Sequence, residues 1–288
     1  MRSLYICLTL SVKFESVLNI PYKPRHQTIS HSYKTYQCDI INQMELDKAH
    51  GHFPELIALA EVDSTNKELL RRLGPETPEF FAVTAATQLG GLGRLSRNWV
   101  TEPGKSMALS MLLRPKTSAA ANWITIMAGL ALRQVVVDLG VAASIKWPND
   151  ILVEGRKLAG ILAELSGPNA VILGMGLNLE PQQGAPETAT SLSELGAQVS
   201  IDHLISLVAT AIKGYWEPLN ENPTEAIAIF QTELATACST LGTEVRAELP
   251  GGRNLYGVAR AIDTEGRLVI ECPEPVALAA ADVWHLRD

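Results

Sequence analysis

A glycine-rich segment between Gln88 and Trp99 has the residue types of a binding site for a phosphate-bearing ligand. Its glycines let backbone amides approach a ligand closely, and Arg94 and Arg97 add positive charge that suits phosphate. The segment has neither the Gly-Lys-Ser/Thr ending of a P-loop nor the spacing and context of a dinucleotide fingerprint. Taken alone, such a stretch is more often a mobile surface loop, so it needs support from other segments.

A second candidate is Lys146, which ends an apolar run and precedes Trp147-Pro148-Asn149-Asp150. A lysine that enters the edge of a core is costly unless it meets an anion. Pro148 ends strand pairing, and Asn149 with Asp150 supplies turn residues. The pattern indicates a cation held at a strand end, with a solvated lysine as the alternative interpretation.

Two further segments carry glycines beside apolar strands. Lys157 begins a run that contains Gly160, and a glycine within a strand indicates that another backbone or a ligand lies close. The segment 174–178, Gly-Met-Gly-Leu-Asn, follows an apolar strand. It suits a purine or ribose contact, although a plain turn explains it equally well in isolation.

Together, five segments resemble the biotin protein ligases, in the family's order. They are Asp63-Ser64-Thr65-Asn66, Gln88 with its glycine-arginine loop, Lys146–Asp150, Lys157–Leu162 and Gly174–Asn178. The Lys-Trp-Pro-Asn-Asp string is the most specific of them. The tail at 242–288 also resembles the family's C-terminal domain. Agreement among all five leaves little room for the alternative interpretations of each one.

The resemblance implies a biotin site made of Ser64, Thr65, Asn66, Gln88, Leu92, Gly93, Arg94 and Lys146. The first four would hydrogen-bond the ureido ring and flank the pocket. Gly93 and Arg94 would lie over biotin and the adenylate phosphate. Lys146 would contact the biotin carboxylate and the α-phosphate, so Lys146 and Arg94 are the predicted catalytic residues.

The resemblance also implies a nucleotide site made of Arg94, Arg97, Trp99, Asn149, Lys157 and Asn178. Arg97 and Trp99 would help to hold ATP, with the tryptophan near the adenine. Lys157 and Asn178 are the weaker candidates in this set.

Two positions depart from the family pattern, and the one at Leu92 matters most. The family loop usually reads Gly-Arg-Gly-Arg, whereas Leu92 stands here in place of the first arginine, and Ser96 stands where glycine is usual. We expect Leu92 to act as an apolar lid over the hydrocarbon chain of biotin, with burial worth ~1.5–3 kcal/mol replacing the charge. The alternative is a loop that closes less tightly and leaks the adenylate.

The implied reaction has two steps and needs no protein nucleophile. The biotin carboxylate attacks the α-phosphate of ATP, which gives biotinyl-5'-AMP and pyrophosphate. A lysine of the biotin carboxyl carrier protein domain of acetyl-CoA carboxylase then attacks the carbonyl carbon of the mixed anhydride, which forms the biotinyl amide and releases AMP. ATP and biotin are thus substrates, and Mg2+ is expected to be held largely by phosphate oxygens and water. No metal site built from side chains is predicted.

Two rival functions are weighed against this one. Lipoate protein ligases share the general fold but usually carry an Arg-Arg-x-Ser-Gly-Gly-Gly run, whereas the loop ending in Arg94 follows the biotin pattern. A biotin-responsive repressor would need a helix-turn-helix domain. The region before residue 55 is short and weakly periodic, and the net charge of -7 argues against binding to nucleic acid.

These segments require elements that hold them in place, and the fold class implied is α+β. We expect a mixed-sheet catalytic domain flanked by helices, like that of class II aminoacyl-tRNA synthetases and biotin ligases, with a small C-terminal SH3-like β-barrel. The predicted boundaries are a weakly ordered extension at 1–50, the catalytic domain at 51–240 and the barrel at 241–288.

Local patterns predict the elements in more detail. Small polar residues before an apolar run predict a helix that begins after Asn66. Apolar runs bounded by turn residues predict strands at 80–85, 106–113, 144–147, 151–153, 158–164 and 170–173, with a loop over 88–106. Longer apolar periodicity predicts helices at 122–139, 201–217 and 223–241.

The bulk composition fits an ordinary globular enzyme, with 288 residues of which 47% are hydrophobic. The four cysteines are scattered without a CxxC pair, which argues against a disulfide framework or zinc site and favours the cytoplasm. No run of about 18 apolar residues is apparent, so we expect no membrane span. A homodimer is one option for the oligomeric state, and Met44 is an alternative start of the chain.

Overall fold

The described part of the chain forms two β-sheets, one after the other, with helices around the first. In the computed structural model the described residues are 46–93, 98–249, 253–279 and 282–286. The first part contains helices α1 (Asp47–His50), α2 (Thr65–Arg72), α3 (Ser118–Asp138), α4 (Ile201–Glu221) and α5 (Pro223–Ala237). Its strands are β1 (Leu56–Val62), β2 (Ala82–Leu92), β3 (Asn98–Thr101), β4 (Ser106–Leu113), β5 (Ser144–Lys146), β6 (Asp150–Val153), β7 (Arg156–Leu165) and β8 (Val171–Asn178).

The first sheet is mixed, as the sequence predicted. Its strand order is β1-β2-β4-β8-β7-β6-β5, and β3 pairs with β2 beside this path. Strands β1 and β2 run parallel, and the other neighbours run antiparallel. The short turn between β7 and β8 places Gly160 directly opposite Gly176, a pairing that matters for the site below.

Helices cover both faces of this sheet. The long apolar helix α3 lies in the main core, where Trp123 and Met127 are fully buried. On the opposite face, Leu69 of α2 packs with a second, smaller cluster that includes Val83 and Leu112. Because side chains alternate along a strand, neighbouring residues of β4 serve the two clusters. Apolar side chains on both faces of β4 are therefore buried, and α2 packs over the central strands β2, β4 and β8.

The second sheet confirms the predicted β tail. It consists of β9 (Glu244–Leu249), β10 (Arg253–Ile262), β11 (Leu268–Glu271), β12 (Val276–Leu278) and β13 (Asp282–His285). The strands run antiparallel in the order β12-β11-β10-β9-β13. Val245, Ala259 and Ile270 are fully buried between this sheet and its neighbours, so the tail adds its own apolar centre to the core.

Several boundaries differ from the sequence prediction. The loop predicted over 88–106 is largely strand, because β2 continues to Leu92 and pairs with β3, with Gly91 opposite Trp99. Helix α3 begins earlier than predicted because Thr117 accepts a hydrogen bond from the backbone of Ala120 and caps it. Helix α5 ends before 241, because Cys238 bridges to Ile145 of β5.

The chain also forms a short helix just before the predicted boundary at residue 50. Helix α1 lies within the predicted extension, yet Leu46 is 3% exposed and Ala49 is fully buried. The carboxylate of Asp202 in α4 accepts hydrogen bonds from the backbone N–H groups of Ala49 at 2.8 Å and Lys48 at 3.3 Å. The helix contains one apolar residue, Ala49, and Leu46 precedes it at the N-cap position. So short a segment carries too little periodicity to be found by pattern, yet both residues belong to the buried core.

We expect a chain that begins at Met44 to keep full ligase activity, since α1 is retained. A chain that begins at Gly51 removes Leu46, and with it buried apolar contact worth ~2–5 kcal/mol. Thermal unfolding of both chains measures this difference. Loss of biotin transfer in the Met44 chain would contradict the expectation for residues 1–43, and an unchanged melting temperature in the Gly51 chain would contradict the role of α1.

One described helix, Ser118–Asp138, is long and apolar enough by composition to cross a membrane. Its length and composition correct only the observation that no run of about 18 apolar residues is apparent. Of its most apolar window, 67% is buried inside the protein, and Arg133 donates a hydrogen bond to the carbonyl of Ala143. A core helix passes the same test, so this is weak evidence for a span.

Candidate active site

The start of α2 meets β2 through a glutamine. The Oε1 atom of Gln88 accepts hydrogen bonds from the backbone N–H of Thr65 at 2.8 Å and from its hydroxyl at 3.1 Å. Ser64 stands at the N-cap position, but its side chain makes no capping hydrogen bond. Gln88 and Thr65 are thus joined where the helix begins, with Ser64 directly before them; these are three of the residues predicted to bind biotin.

A buried serine that the sequence analysis missed completes this wall. Ser110 of β4 is fully buried, and its Oγ lies 2.7 Å from Thr65 Oγ1 and 2.6 Å from Asn66 Oδ1. Asn66 also donates from Nδ2 to Glu164 at 2.6 Å. Ser110 therefore orients both predicted ligand-binding side chains. Its only sequence signal is a hydroxyl in the middle of a strand that, after Ser106, is otherwise apolar.

Three glycines make room for the side chains of the site. A Cβ atom on Gly174 would lie 2.2 Å from Asn66 Oδ1, and one on Gly176 would lie 2.4 Å from the indole of Trp99. At Gly160 a Cβ would lie 3.1 Å from Lys157 and 3.3 Å from Trp99. The close neighbours of Gly160 are thus side chains, where the sequence had predicted a backbone or a ligand.

The paired glycines of β7 and β8 form a flat floor for an aromatic ring. The indole of Trp99 lies across Gly160 and Gly176, and Lys157 Nζ is 5.7 Å from the ring centroid. The same ammonium is 2.7 Å from Asp150 Oδ1, in an ion pair without the alignment of a hydrogen bond. This end of the site combines an aromatic ring with a cation, which suits a purine and its phosphates.

A single cavity joins both ends. Eight predicted site residues line it: Ser64, Thr65, Asn66, Gln88, Gly93, Trp99, Asn149 and Lys157. The other lining residues are Gly160, Ile161, Leu162, Gly174, Met175 and Gly176. These six come from β7 and β8, in two segments that carried the resemblance, although none of them was predicted as a site residue.

Two predicted residues lie beside the cavity rather than on its lining. Lys146 ends β5 opposite Asp150 of β6, three residues before the cavity-lining Asn149. Asn178 is buried, and its amide donates to the carbonyl of Thr190 at 2.9 Å and accepts from Gln182 at 3.0 Å. Asn178 thus braces the segment after β8 in this structure.

The remaining predictions fall on the tip of the glycine-arginine loop. Arg94 and Arg97 lie outside the described residues, as does the side chain of Leu92. The roles predicted for these three positions stay predictions.

An ion pair fixes the helix start from the solvent side. Arg71 donates to both carboxylate oxygens of Asp63, at 2.6 and 3.1 Å, and this bond lowers the pKa of Asp63 to about 2. The carboxylate is therefore charged at neutral pH. The backbone of Asp63 also contacts β2, because its carbonyl accepts a hydrogen bond from the N–H of Gly90 at 2.8 Å. The contribution to folding is small because both side chains are about half exposed. The stabilisation from this ion pair is present above about pH 3.8, the pKa of Asp63 in the unfolded chain, and is lost as the pH falls toward 2.

Comparison with known proteins gives the family. Residues 59–178 match the model of the biotin/lipoate A/B protein ligase family, and residues 240–286 match the biotin protein ligase C-terminal domain. A biotin--[acetyl-CoA-carboxylase] ligase of Mycobacterium tuberculosis is 36% identical over 259 residues, which are 84% of this chain and 93% of that protein. The chain belongs to the biotin protein ligase family.

Other members of the biotin protein ligase family agree with this assignment. The ligase of the same name from Paracoccus denitrificans is 34% identical over 75% of this chain and 93% of its own length. The solved biotin protein ligase of Aquifex aeolicus in complex with biotin and ATP has 25% identity and a TM-score of 0.67, and it covers 81% of this chain and 100% of that one. The ligase fold thus spans both sheets of this chain.

Proposed function

We propose that this ligase activates biotin with ATP to biotinyl-5'-AMP and transfers the biotin to a lysine of an acetyl-CoA carboxylase carrier domain. The observation that carries the proposal is the single cavity on which residues of all five family segments converge. One end presents polar side chains and the other presents a cation and an aromatic ring, as expected for a ligand with a ureido ring at one end and a nucleotide at the other.

The polar end is preorganised to bind biotin. Gln88, Thr65 and Ser110 hold one another through the hydrogen bonds described above, so their side chains need little reordering when a ligand arrives. Preorganisation lowers the entropy cost of binding. In this proposal Ser64 and Asn66 bind the ureido group, and the apolar side chains of Ile161 and Leu162 line the path of the hydrocarbon chain.

The other end of the cavity is proposed to take the nucleotide. Trp99 offers a flat face for the adenine, and Lys157 lies beside it with a charge that suits a phosphate. Gly160 and Gly176 leave room for the indole of Trp99, since a side chain at either position would collide with the ring. Asn149 lies between the two ends of the cavity.

The chain has to supply positioning and charge rather than a nucleophile. The carboxylate of biotin and the α-phosphate of ATP repel each other, and a lysine between them screens that repulsion. We assign this role to Lys146, which the register places at the end of β5 next to the cavity segment. Arg94 is the second cation in the proposal.

Magnesium is proposed to enter as part of the nucleotide substrate. Among the described residues there is no group of three or more His, Cys, Asp or Glu side chains that could hold a metal ion. This fits a cation carried by the phosphate oxygens and water of ATP. We also propose that the enzyme works in the cytoplasm and acts without nucleic acid or membrane; the net charge of -7 argues against nucleic acid. A homodimer remains one option.

The first step can be tested without a carrier. The full chain, given Mg–ATP, should release pyrophosphate when biotin is added and give little release with lipoate. We expect a preference for biotin of at least about a hundredfold in kcat/KM, since a site built to hydrogen-bond a polar ring rejects a ligand that lacks it. Equal release with lipoate would favour a lipoate ligase, and no release with either would contradict the proposal.

A further inference from the structure

The Lys146–Asp150 segment is held from outside the catalytic domain by one turn of the C-terminal sheet. This turn, Asp263–Arg267, joins β10 to β11, and we refer to it as the clamp turn. The indole N–H of Trp147 donates to the carbonyl of Gly266 at 3.3 Å. The backbone N–H of Trp147 donates to Thr240 Oγ1 at 3.0 Å, so the residue after Lys146 is fixed at two points.

The clamp turn is rigid because one carboxylate closes it. Asp263 Oδ1 accepts from the backbone N–H groups of Glu265 at 3.0 Å and Arg267 at 2.9 Å. Its second oxygen accepts from Arg267 Nε at 2.8 Å. Gly266 has a φ of +75°, the left-handed region that glycine tolerates best. The carbonyl that Trp147 contacts therefore has a fixed direction.

The clamp turn is also anchored to the second turn of α3. The indole of Trp123 donates to the carbonyl of Thr264 at 2.8 Å, and Asn122 donates to Glu265 at 3.0 Å. Both indoles are buried, with Trp147 3% exposed. The turn cannot move away from Trp147 without breaking these contacts.

The far side of the same segment reaches the cavity. Asn149 exchanges two hydrogen bonds with Ile161 of β7, accepting from its N–H at 2.9 Å and donating to its carbonyl at 3.1 Å. Asn149 and Ile161 both line the cavity. A chain of direct contacts therefore links the clamp turn to Trp147, and residues 147–149 link Trp147 to the cavity lining. Lys146 directly precedes Trp147.

We propose that the clamp turn is a positioning element for adenylation, and that Trp147 is the positioning residue through which it acts. This inference rests on the proposed function. It concerns only how Lys146 and Asn149 are positioned for the adenylation step. The turn lets the C-terminal domain support catalysis while contributing no residue to the cavity lining.

Three variants of the full chain test this. Trp147→Phe removes the indole hydrogen bond to the clamp turn from the catalytic-domain side. Asp263→Ala removes, from the C-terminal side, the carboxylate that holds the turn in its conformation. Trp216→Phe is the matched control, since Trp216 is also buried and donates one indole hydrogen bond, to Glu79 at 3.0 Å. Biotin-dependent pyrophosphate release gives kcat and the KM for biotin, and thermal unfolding is measured in parallel.

We expect Trp147→Phe and Asp263→Ala each to lower kcat about tenfold, with the KM for biotin within about twofold of wild type. This is less than the roughly hundredfold that a displacement of about 1 Å can cost. The double variant should be no slower than the slower single variant, since residues that act as one unit are not additive. Trp216→Phe should lower the melting temperature and leave kcat unchanged.

If the falls in kcat of the two single variants multiplied in the double variant, or if Trp147→Phe left kcat unchanged, the proposed role of the clamp turn would be contradicted. An equal fall in kcat for the control would reduce Trp147 to a structural residue and overturn it too. A wild-type chain without biotin-dependent release would instead contradict the proposed function on which the clamp rests.

Discussion

Replacing Lys146 by alanine should slow the formation of biotinyl-AMP by at least ~100-fold, the scale for removing one preorganised charge contact from a transition state. Lys146 is the cation proposed to screen the repulsion between the biotin carboxylate and the α-phosphate of ATP. Its loss should also weaken ATP binding. The second step starts from a finished anhydride, so transfer from supplied biotinyl-AMP should suffer less. Single-turnover assays of the two steps separate these effects.

The matched control for this variant is Lys116→Ala. Lys116 is exposed and pairs with Glu221 at the end of α4, on a surface away from the cavity. Its removal should leave both steps unchanged. Normal adenylation by the Lys146 variant would remove that lysine from the mechanism, and equal losses in both steps would assign it to a general structural role.

Adding a methyl group to Gly176 should raise the KM for ATP by at least about tenfold, or ~1.4 kcal/mol. The new Cβ would lie 2.4 Å from the indole of Trp99, and the ring would have to leave the glycine floor. Gly174→Ala should act on the other substrate. Its Cβ would lie 2.2 Å from Asn66 Oδ1, so the KM for biotin should rise by a similar factor.

Gly214→Ala is the control for both variants. Gly214 lies in α4, and a Cβ there meets no atom within 4 Å. Alanine at this site should be neutral or stabilising, because glycine costs ~1 kcal/mol within a helix. A Gly176 variant with an unchanged KM for ATP would contradict the assignment of the nucleotide to the tryptophan end. If both variants raised only the KM for biotin, the two ends would have to be reassigned.

The sequence was sufficient for the fold class and for much of the cavity. The family segments are local strings such as Lys146–Asp150, in which proline, turn residues and a lysine in an apolar strand each leave a strong signal. The cavity then assembles because Ser64 to Asn66 begin a helix that must pack on β4. Asn149 lies in the turn that leads into β6, and Lys157 lies on β7, which pairs with β6 in the same sheet.

Other features depend on pairing between distant strands and leave little local signal. Ser110 orients Thr65 and Asn66 only because β4 brings its hydroxyl beneath α2. The contact between Trp147 and Gly266 joins residues 119 positions apart. The continuation of β2 to Leu92 was hidden by glycines, which are depleted in strands in general. Such features follow from the three-dimensional register and cannot be read from local patterning.

The most direct test of the account is biotin transfer by the purified full chain to an acetyl-CoA carboxylase carrier domain. The reaction contains Mg–ATP, and the product is read by mass spectrometry. A carrier with its target lysine changed to arginine and a lipoyl carrier domain supplied with lipoate serve as controls. The account predicts one biotin on the wild-type carrier, dependent on ATP, and no modification of either control. Transfer of lipoate to its own carrier, or no ATP-dependent biotin on the wild-type carrier, would contradict it.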